Sequence, residues 1–185
     1  MPKNNSKEWL KMARDKWRYR GDERPPFAEV PKKGQRSVWD FPRPPIIEQV
    51  SKHITIKYDD FTIADSNSAL AVLETASPPT YYIPKQDIEI SLLLQIPGKA
   101  SMCEWKGSAS YWSLRRAPNI PIAWSYANPF SEFENLIEHL AFYPHHLDCR
   151  VDGVKVKPQA GLFYAGWITP DLVGPFKGET GTGHW

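Results

Sequence analysis

The stretch SMCEWKGSASYWSL, residues 101–114, decides the fold class. The segments SMCEW and SASYWSL flank Lys106-Gly107, and a glycine turn between two such segments is typical of a β-hairpin. Two other pairs have this pattern: HITIKY and FTIAD flank residues 59–60, and LDCRV and VKVK flank Asp152-Gly153, the strongest hairpin signal. Because no helical crossover separates these strands, the sequence predicts a compact antiparallel sheet domain, mainly β or α+β, with a few peripheral helices.

Several further elements follow from local patterns. IEISLLL (88–94) and PIAWSY (121–126) indicate strands, whereas NSALAVLE (67–74) fits either a strand or a short helix. Ser131 and Glu134 form a capping box at the start of a predicted helix. The apolar residues of that helix recur at helical spacing: Phe133, Leu136, Ile137, Leu140 and Ala141.

The N-terminal residues predict a basic amphipathic helix over 5–20. Asn5 and Glu8 resemble a capping box, an apolar stripe with two tryptophans follows at helical spacing, and Gly21 ends the pattern. Such a helix either packs on its own domain or meets a membrane surface or a protein partner. Residues 22–45 are rich in proline and charge, which predicts an arm that wraps the surface and is anchored by Trp39 and Phe41.

Composition limits the function classes. Of 185 residues, 41% are hydrophobic, enough for a core, and 18 prolines argue against a helical bundle. Only Cys103 and Cys149 are cysteines, and no CxxC pair exists. The N-terminus has no signal-peptide pattern and no run approaches the length of a membrane span, so we expect a cytoplasmic protein without a membrane partner. Residues 1–45 carry a charge of +6 and the remainder −4, which disfavours nucleic-acid binding by the core.

Four segments in order and spacing resemble one family. They are IADSNSALAVLETASPPTYYIP (63–84), CEWKGSASYWSL (103–114), AWSYANPF (123–130) and HLAFYPHHLDC (139–149). Together they are similar to the family called domain of unknown function 427, over roughly residues 46–152. The resemblance implies a β-tent-like antiparallel fold with a pocket built from Glu, Tyr and Trp. Other β-tent proteins often hold zinc through two CxxC knuckles, and since this chain has none we expect no cofactor. A nucleotidyltransferase label sometimes accompanies this family, but the chain has no Gly-Ser-x-Asp-x-Asp pattern.

The resemblance and the element pattern together suggest three parts. These are an N-terminal helix and Pro-rich arm (1–45), a core β domain (46–155) and a C-terminal extension (156–185) that packs on the core or trails from it. The end of the chain, FKGETGTGHW, lacks the GK[ST] ending of a phosphate loop and is interpreted as a mobile or docked terminus.

Glu74 is the candidate catalytic residue. It follows an apolar run and precedes a Pro-Pro corner, where a carboxylate can act as a general acid or base, accept hydrogen bonds from a ligand, or cap the amides of the turn. The predicted ligand-binding residues surround it in two groups: Thr75, Pro79, Tyr81 and Tyr82 from one segment, and Trp105, Lys106, Tyr111 and Trp124 from two others.

Other reactive side chains are predicted to have no catalytic role. Strand alternation places Cys103 and Trp105 on one face and Glu104 and Lys106 on the other, so no local cation activates the thiol. The histidines of HLAFYPHHLDC are predicted to be structural, and no metal site is expected.

The preferred hypothesis is therefore a pocket for an unknown small molecule, with or without catalysis. The alternative is a protein–protein interaction module that uses residues 1–45. Nucleic-acid binding is the weakest of the three, and the sequence fixes no reaction.

Overall fold

The computed structural model describes residues 4–185, which form one α-helix, fifteen β-strands and four short 3₁₀ helices. The α-helix, α1, is Asn4–Asp15, and the 3₁₀ helices are Val38–Asp40, Lys85–Asp87, Ile90–Leu92 and Ser131–Leu136. The strands are β1 Arg36–Ser37, β2 Ile46–Gln49, β3 Ile54–Tyr58, β4 Phe61–Ser66, β5 Leu70–Leu73, β6 Thr80–Pro84, β7 Leu93–Cys103, β8 Gly107–Leu114, β9 Ala117–Ser125, β10 His139–Phe142, β11 Asp148–Val151, β12 Val154–Lys155, β13 Lys157–Pro158, β14 Trp167–Ile168 and β15 Leu172–Val173.

Seven strands form the larger sheet, in the order β2-β5-β6-β10-β9-β8-β7, and every neighbouring pair is antiparallel. The predicted hairpin at 101–114 is confirmed: β7 and β8 pair from Leu93↔Leu114 to Cys103↔Gly107. The segment 67–74, for which the sequence left two alternatives, contains strand β5 between β2 and β6. The mainly β prediction is therefore confirmed.

A second antiparallel sheet has the order β12-β11-β3-β4. Both of its predicted hairpins are present, because β3 pairs with β4 and β11 pairs with β12. The turn between β11 and β12 places Asp152 at φ 49° and Gly153 at φ 77°. Two successive positive φ values match the right-handed twist of the strands, which is why Asp-Gly predicts this turn well.

The main core lies between the two sheets. Alternate residues of the larger sheet, among them Leu73, Ile83 and Phe142, join Ile54 and Ile56 of the smaller sheet in one buried cluster. Trp39 from the N-terminal arm is fully buried in the same cluster. The residues between those alternate positions point to the opposite face of the larger sheet, where the candidate site is found.

The N-terminal arm and the C-terminal segment are docked on this core. Strand β1 pairs in parallel with β15, and the rings of Phe27 and Trp39 both contact Trp185, with centroids 5.2 Å apart in each case. The predicted anchors Trp39 and Phe41 are both buried. The C-terminal segment is therefore docked, which was one of the two alternatives that the sequence allowed.

Three predicted elements are wrong in type or length. The predicted helix from Ser131 is only a 3₁₀ turn, because Leu140 and Ala141 belong to β10, which pairs with β6 and β9. The N-terminal helix ends at Asp15 rather than at residue 20, because the chain from Trp17 onward contacts the body of the protein. The segment 88–94 contains a 3₁₀ helix at Ile90–Leu92 and contributes only its last two residues to β7. The side chain of Asn5, half of the predicted capping box, lies outside the described residues.

Candidate functional site

A cavity of about 720 Å³ lies on the second face of the seven-stranded sheet. Its floor consists of side chains that alternate with the core residues: Val72 of β5, Tyr82 of β6, Tyr111 of β8 and Trp124 of β9 all line it. Antiparallel pairing brings these positions together. Tyr82 lies opposite Leu70, which is two residues from Val72 on the same strand, and Tyr111 lies opposite Trp124. One sheet therefore has a close-packed core face and a cavity face that is rich in aromatic residues.

The walls and roof of the cavity come from three other parts of the chain. Helix α1 and the residues after it contribute one wall, the β7–β8 turn a second, and the C-terminal segment a third. The lining residues from these parts include Trp9, Met12, Lys16, Trp17, Glu104, Trp105, Lys106, Gln159, Phe163, Tyr164 and Lys177. Because Trp9 and Met12 are largely exposed, the cavity opens to solvent beside α1.

Glu74 lies at the cavity wall, directly after β5. Its Oε1 accepts a hydrogen bond from Nε of Arg43 at 3.0 Å, and the side chain of Arg43 is fully buried while that of Glu74 is 22% exposed. Arg43 also donates to the carbonyls of Tyr19 and Thr75. Burial lowers the pKa of Arg43, and the neighbouring Glu74 carboxylate opposes that shift. The pair thus holds a carboxylate at the cavity wall with a fixed partner behind it.

Three of the predicted site residues lie away from the cavity. Thr75 is fully buried and its Oγ1 donates to the carbonyl of Phe41 at 2.6 Å. Tyr81 points to the opposite face of β6, where its ring contacts Trp167. At the Pro-Pro corner the neighbouring Pro78 lines the cavity, and the carbonyl of Pro79 accepts a hydrogen bond from the Trp167 amide. Strand alternation explains why the Tyr81 side chain points away from the cavity, since its neighbour Tyr82 lies on the cavity face.

The other six predicted site residues all line the cavity: Glu74, Tyr82, Trp105, Lys106, Tyr111 and Trp124. Burial raises the pKa of Tyr82 to about 12, so its hydroxyl stays protonated at neutral pH. The hydroxyl of Tyr111 is 2.7 Å from Oγ of Ser101, a second lining residue. The floor is thus an aromatic surface that carries hydroxyl groups.

The alternation predicted for Cys103 to Lys106 is wrong. Strand β7 ends at Cys103 and β8 begins at Gly107, so the three residues between them form a turn and do not alternate. Cys103, Glu104, Trp105 and Lys106 consequently all line the same cavity. Burial lowers the pKa of Lys106, but attraction to Cys103, Tyr82 and Glu74 outweighs this effect, and the pKa lies above its usual value.

Sequence reasoning missed a cluster around Trp17. Its Nε1 donates to Oε1 of Glu104 at 2.9 Å. Three cationic groups lie over its ring, and the first is Lys16, whose Nζ is 4.4 Å from the ring centroid. The guanidinium carbon of Arg43 is 4.5 Å from the ring centroid, and Nζ of Lys177 is 3.4 Å from it. The contacts join residues up to 160 positions apart, and the only local signal was the tryptophan stripe of the N-terminal segment.

Neither a metal site nor a membrane span is found in the described part of the chain. Residues 4–185 contain no group of three or more His, Cys, Asp and Glu side chains that could hold a metal ion. No helix among them is long and apolar enough to cross a membrane. His145 and His146 lie with their ring centroids 6.5 Å apart, and Cys149 is buried in the main core.

Comparison with known proteins gives one result. A family model described as a domain of unknown function (DUF427) matches residues 46–156, well over half of the chain. The search of curated proteins gave no match. The matched region contains the floor of the cavity, Glu74 and the β7–β8 turn, whereas α1, Arg43, Trp17 and Lys177 lie outside it.

Proposed function

The chain belongs to the family described as a domain of unknown function (DUF427), and on that premise we propose that its core domain, residues 46–155, binds a small organic molecule in the cavity beside Glu74. The observation that carries this proposal is the convergence of Glu74, Tyr82, Tyr111 and Trp124 on one cavity. Its volume of about 720 Å³ lies in the range of 300 to about 1,000 Å³ that is usual for ligand pockets.

The lining supports a ligand with a flat apolar body. Tyr82 and Trp124 meet edge to face with ring centroids 6.2 Å apart, and Trp124 also contacts the ring of Tyr143 at 4.8 Å. These rings form a continuous aromatic surface on the floor of the cavity, and Trp105 stands on the wall from the β7–β8 turn. Aromatic surfaces of this kind suit planar ligands, which stack with ring centroids about 4.5 to 7 Å apart.

Glu74 supports a hydrogen-bond donor on that ligand. Arg43 engages Oε1, and no hydrogen bond to Oε2 is found from the described residues. A ligand N–H or O–H group that reached this oxygen would form a charge-assisted hydrogen bond, which is stronger than a neutral one. We therefore propose Glu74 as a ligand anchor first. The same carboxylate would act as a general base if the ligand were a substrate with a proton within reach of that oxygen.

Native mass spectrometry of the full chain tests this function. We expect the protein purified from cells to carry a non-covalent small molecule whose occupancy falls about tenfold or more in Glu74→Gln, because a charge-assisted hydrogen bond contributes about 1.5 to 3 kcal/mol. Glutamine keeps a hydrogen-bond acceptor for Nε of Arg43, although it removes the negative charge that pairs with the buried guanidinium. The matched control is Glu48→Gln, which changes an exposed carboxylate that also pairs with an arginine. A ligand retained equally by the wild type, Glu74→Gln and Glu48→Gln would show that Glu74 does not bind it.

The second candidate function is an interaction module formed by residues 1–45. The observation in its favour is the exposure of Trp9 and Met12 on α1. Against it, Trp39 and Phe41 of the same region are buried in the protein's own core. The test is a pull-down with the double variant Trp9→Ala/Met12→Ala, since deletion of the whole region would remove buried core residues. The same set of captured proteins with and without the substitutions would exclude this function.

A further inference from the structure

The charged side chains that line the cavity include more bases than acids. Among the described residues they are three lysines and two glutamates: Lys16, Lys106, Lys177, Glu74 and Glu104. Glu74 is already paired, because Nε of the buried Arg43 lies 3.0 Å from its Oε1. Glu104 is therefore the one carboxylate of this set that remains against three amino groups. A cavity with an excess of positive charge attracts an anionic ligand.

Lys106 is the lysine best placed to bind such a ligand. Lys177 is only 2% exposed, its Nζ already donates to the main-chain oxygen of Trp185 at 3.1 Å, and burial lowers its pKa to about 7. Lys16 is exposed to solvent. Lys106 is partly exposed at the cavity wall. The ion pairs found within residues 4–185 all use other basic groups, so its amino group has no carboxylate partner there.

The β7–β8 turn holds the main chain of Lys106 in place. Its carbonyl accepts a hydrogen bond from the Phe130 amide at 3.2 Å, and a β-bridge joins Gly107 to Pro129. Gly107 has φ 95°, a conformation that residues with a side chain rarely adopt, so the turn needs glycine there. Nζ of Lys106 lies 5.7 Å from the centroid of the Phe133 ring. A lysine whose main chain is already fixed loses less conformational freedom when a ligand binds.

Two phenol groups of the floor accompany this amino group. Tyr82 and Tyr126 both line the cavity, and their ring centroids are 6.4 Å apart. Burial raises the pKa of Tyr82 to about 12 and holds the pKa of Tyr126 well above its usual value, so both hydroxyls can donate hydrogen bonds at neutral pH. Although burial lowers the pKa of Lys106, attraction to neighbouring groups raises it above its usual value, and the amino group is cationic. An ammonium group with O–H donors beside it suits a carboxylate.

From this arrangement we infer that the ligand of the cavity is a planar carboxylic acid whose carboxylate binds Lys106. The inference rests on the proposed ligand-binding role of the cavity and adds the chemical class of the ligand. The flat body of such an acid lies on the rings of Tyr82 and Trp124, and an N–H or O–H group elsewhere on it reaches Glu74. Its negative charge offsets part of the positive charge of the lining.

The surroundings of Lys106 favour a carboxylate over a phosphate ester. A phosphate group carries about 1.5 to 2 negative charges at pH 7 and has three acceptor oxygens. Proteins often hold it with several main-chain amides of a glycine-rich loop and helix N-terminus, or with the fork of an arginine. The segment 101–107 contains a single glycine and leads into a strand. One ammonium group and two phenols match the single charge and two oxygens of a carboxylate.

Binding of matched acids and amides tests this inference. The full-length protein is titrated, with ligand-observed NMR as the readout, against a panel of aromatic carboxylic acids that each have their primary amide as a partner. The panel includes para-hydroxybenzoic acid with para-hydroxybenzamide, and hydroxynaphthoic acid with hydroxynaphthamide. Each amide keeps the ring and the shape of its acid but lacks the negative charge. We expect acids of the panel to bind the wild type at least about tenfold more tightly than their amides, because a charge-assisted hydrogen bond replaces a neutral one.

Three lysine variants assign this preference to one side chain. Lys106→Met keeps the aliphatic part of the side chain and should lose most of the preference for acids, while its binding of the amides stays as in the wild type. Unchanged amide binding also shows that the variant is folded. Lys106→Arg keeps the positive charge and should retain the preference. The matched control is Lys155→Met, at an exposed lysine of the smaller sheet, which should bind acids and amides as the wild type does.

Three results would overturn the inference. The first is equal binding of acids and amides by the wild type. The second is a preference for acids that survives in Lys106→Met. The third is a panel in which no acid binds.

The two proposals fail separately. A ligand that is lost in Glu74→Gln, but that is uncharged and binds Lys106→Met as tightly as the wild type, would overturn only the carboxylic acid. Acids that need Lys106 but bind Glu74→Gln as tightly as the wild type would overturn the Glu74 anchor and leave the carboxylate site in place.

Discussion

The two faces of the seven-stranded sheet differ in what covers them. On one face, Leu73 and Ile83 pack against the smaller sheet in the main core. On the other, their sequence neighbours Val72 and Tyr82 line a cavity. The first face is covered largely by strands of the matched family region, and the second partly by segments outside it. The comparison suggests that the matched region, residues 46–156, forms the fold and the floor of the cavity, while the flanking segments complete the cavity walls in this particular chain.

The largest predicted effect concerns the ion pair behind the cavity. Arg43→Met removes the partner of Glu74 and leaves the carbonyls of Tyr19 and Thr75 without their donor. Breaking a buried pair costs about 3 to 5 kcal/mol, and we expect about 4 kcal/mol of the free energy of unfolding to be lost in urea denaturation. Arg36→Met is the control, because the exposed pair with Glu48 contributes at most about 1 kcal/mol. Equal losses of unfolding free energy in both variants would show that the Arg43–Glu74 pair contributes no more than an exposed ion pair.

The next prediction compares the two faces within one strand. Leu73→Ala should lower the free energy of unfolding by about 3 kcal/mol, because it opens a void in the close-packed core. Val72→Ala should cost about 1.5 kcal/mol, because it removes two buried methyl groups at about 0.8 kcal/mol each and widens an existing cavity instead of opening a new void. Chemical denaturation of both variants checks the difference. A larger loss for Val72→Ala would mean that the cavity face is packed as densely as the core.

A third prediction follows from the depressed pKa of Lys177. The pKa is about 7 in the folded protein and about 10.4 in the unfolded chain, so the unfolded state binds more protons between these values. The free energy of unfolding of the wild type should therefore rise with pH, by about 1.5 kcal/mol between about pH 7 and 8.5, relative to Lys177→Met. Unfolding measured across that range in both proteins checks this, and parallel curves would contradict the shifted pKa.

The smallest predicted effect concerns the contact between the N-terminal segment and the β7–β8 turn. Trp17→Phe keeps a ring but loses the hydrogen bond to Glu104, which should cost about 1 kcal/mol. It should also speed hydrogen exchange in α1. The matched control is Trp9→Phe within α1 itself, at a residue that is 46% exposed. If Trp9→Phe speeds exchange as much, the Trp17 contact does not hold the helix in place.

Features with a local cause could be predicted from the sequence. The turn at Asp152-Gly153 forms because both residues accept a positive φ, and that preference depends only on two adjacent residue types. The family resemblance is confirmed by the match over residues 46–156. The roles of the site residues, Glu74 included, stay predictions.

Features with a non-local cause were missed. Phe133 to Ala141 satisfied the helical pattern, but β6 and β9 pair with its last residues as part of β10, and neither neighbour is visible in the local sequence. The approach of Arg43, Trp17 and Lys177 depends on contacts across most of the chain, and no spacing rule encodes it. Alternation also failed at residues 104–106, because a tight turn replaces the strand there.

A crystal structure of the full-length protein as purified from cells tests the central claim most directly. The proposal predicts electron density for a non-protein molecule on the floor of Tyr82 and Trp124, with a polar atom within hydrogen-bond distance of Glu74. A cavity filled by the protein's own side chains, or one that holds only water in the wild type and in Glu74→Gln alike, would contradict it.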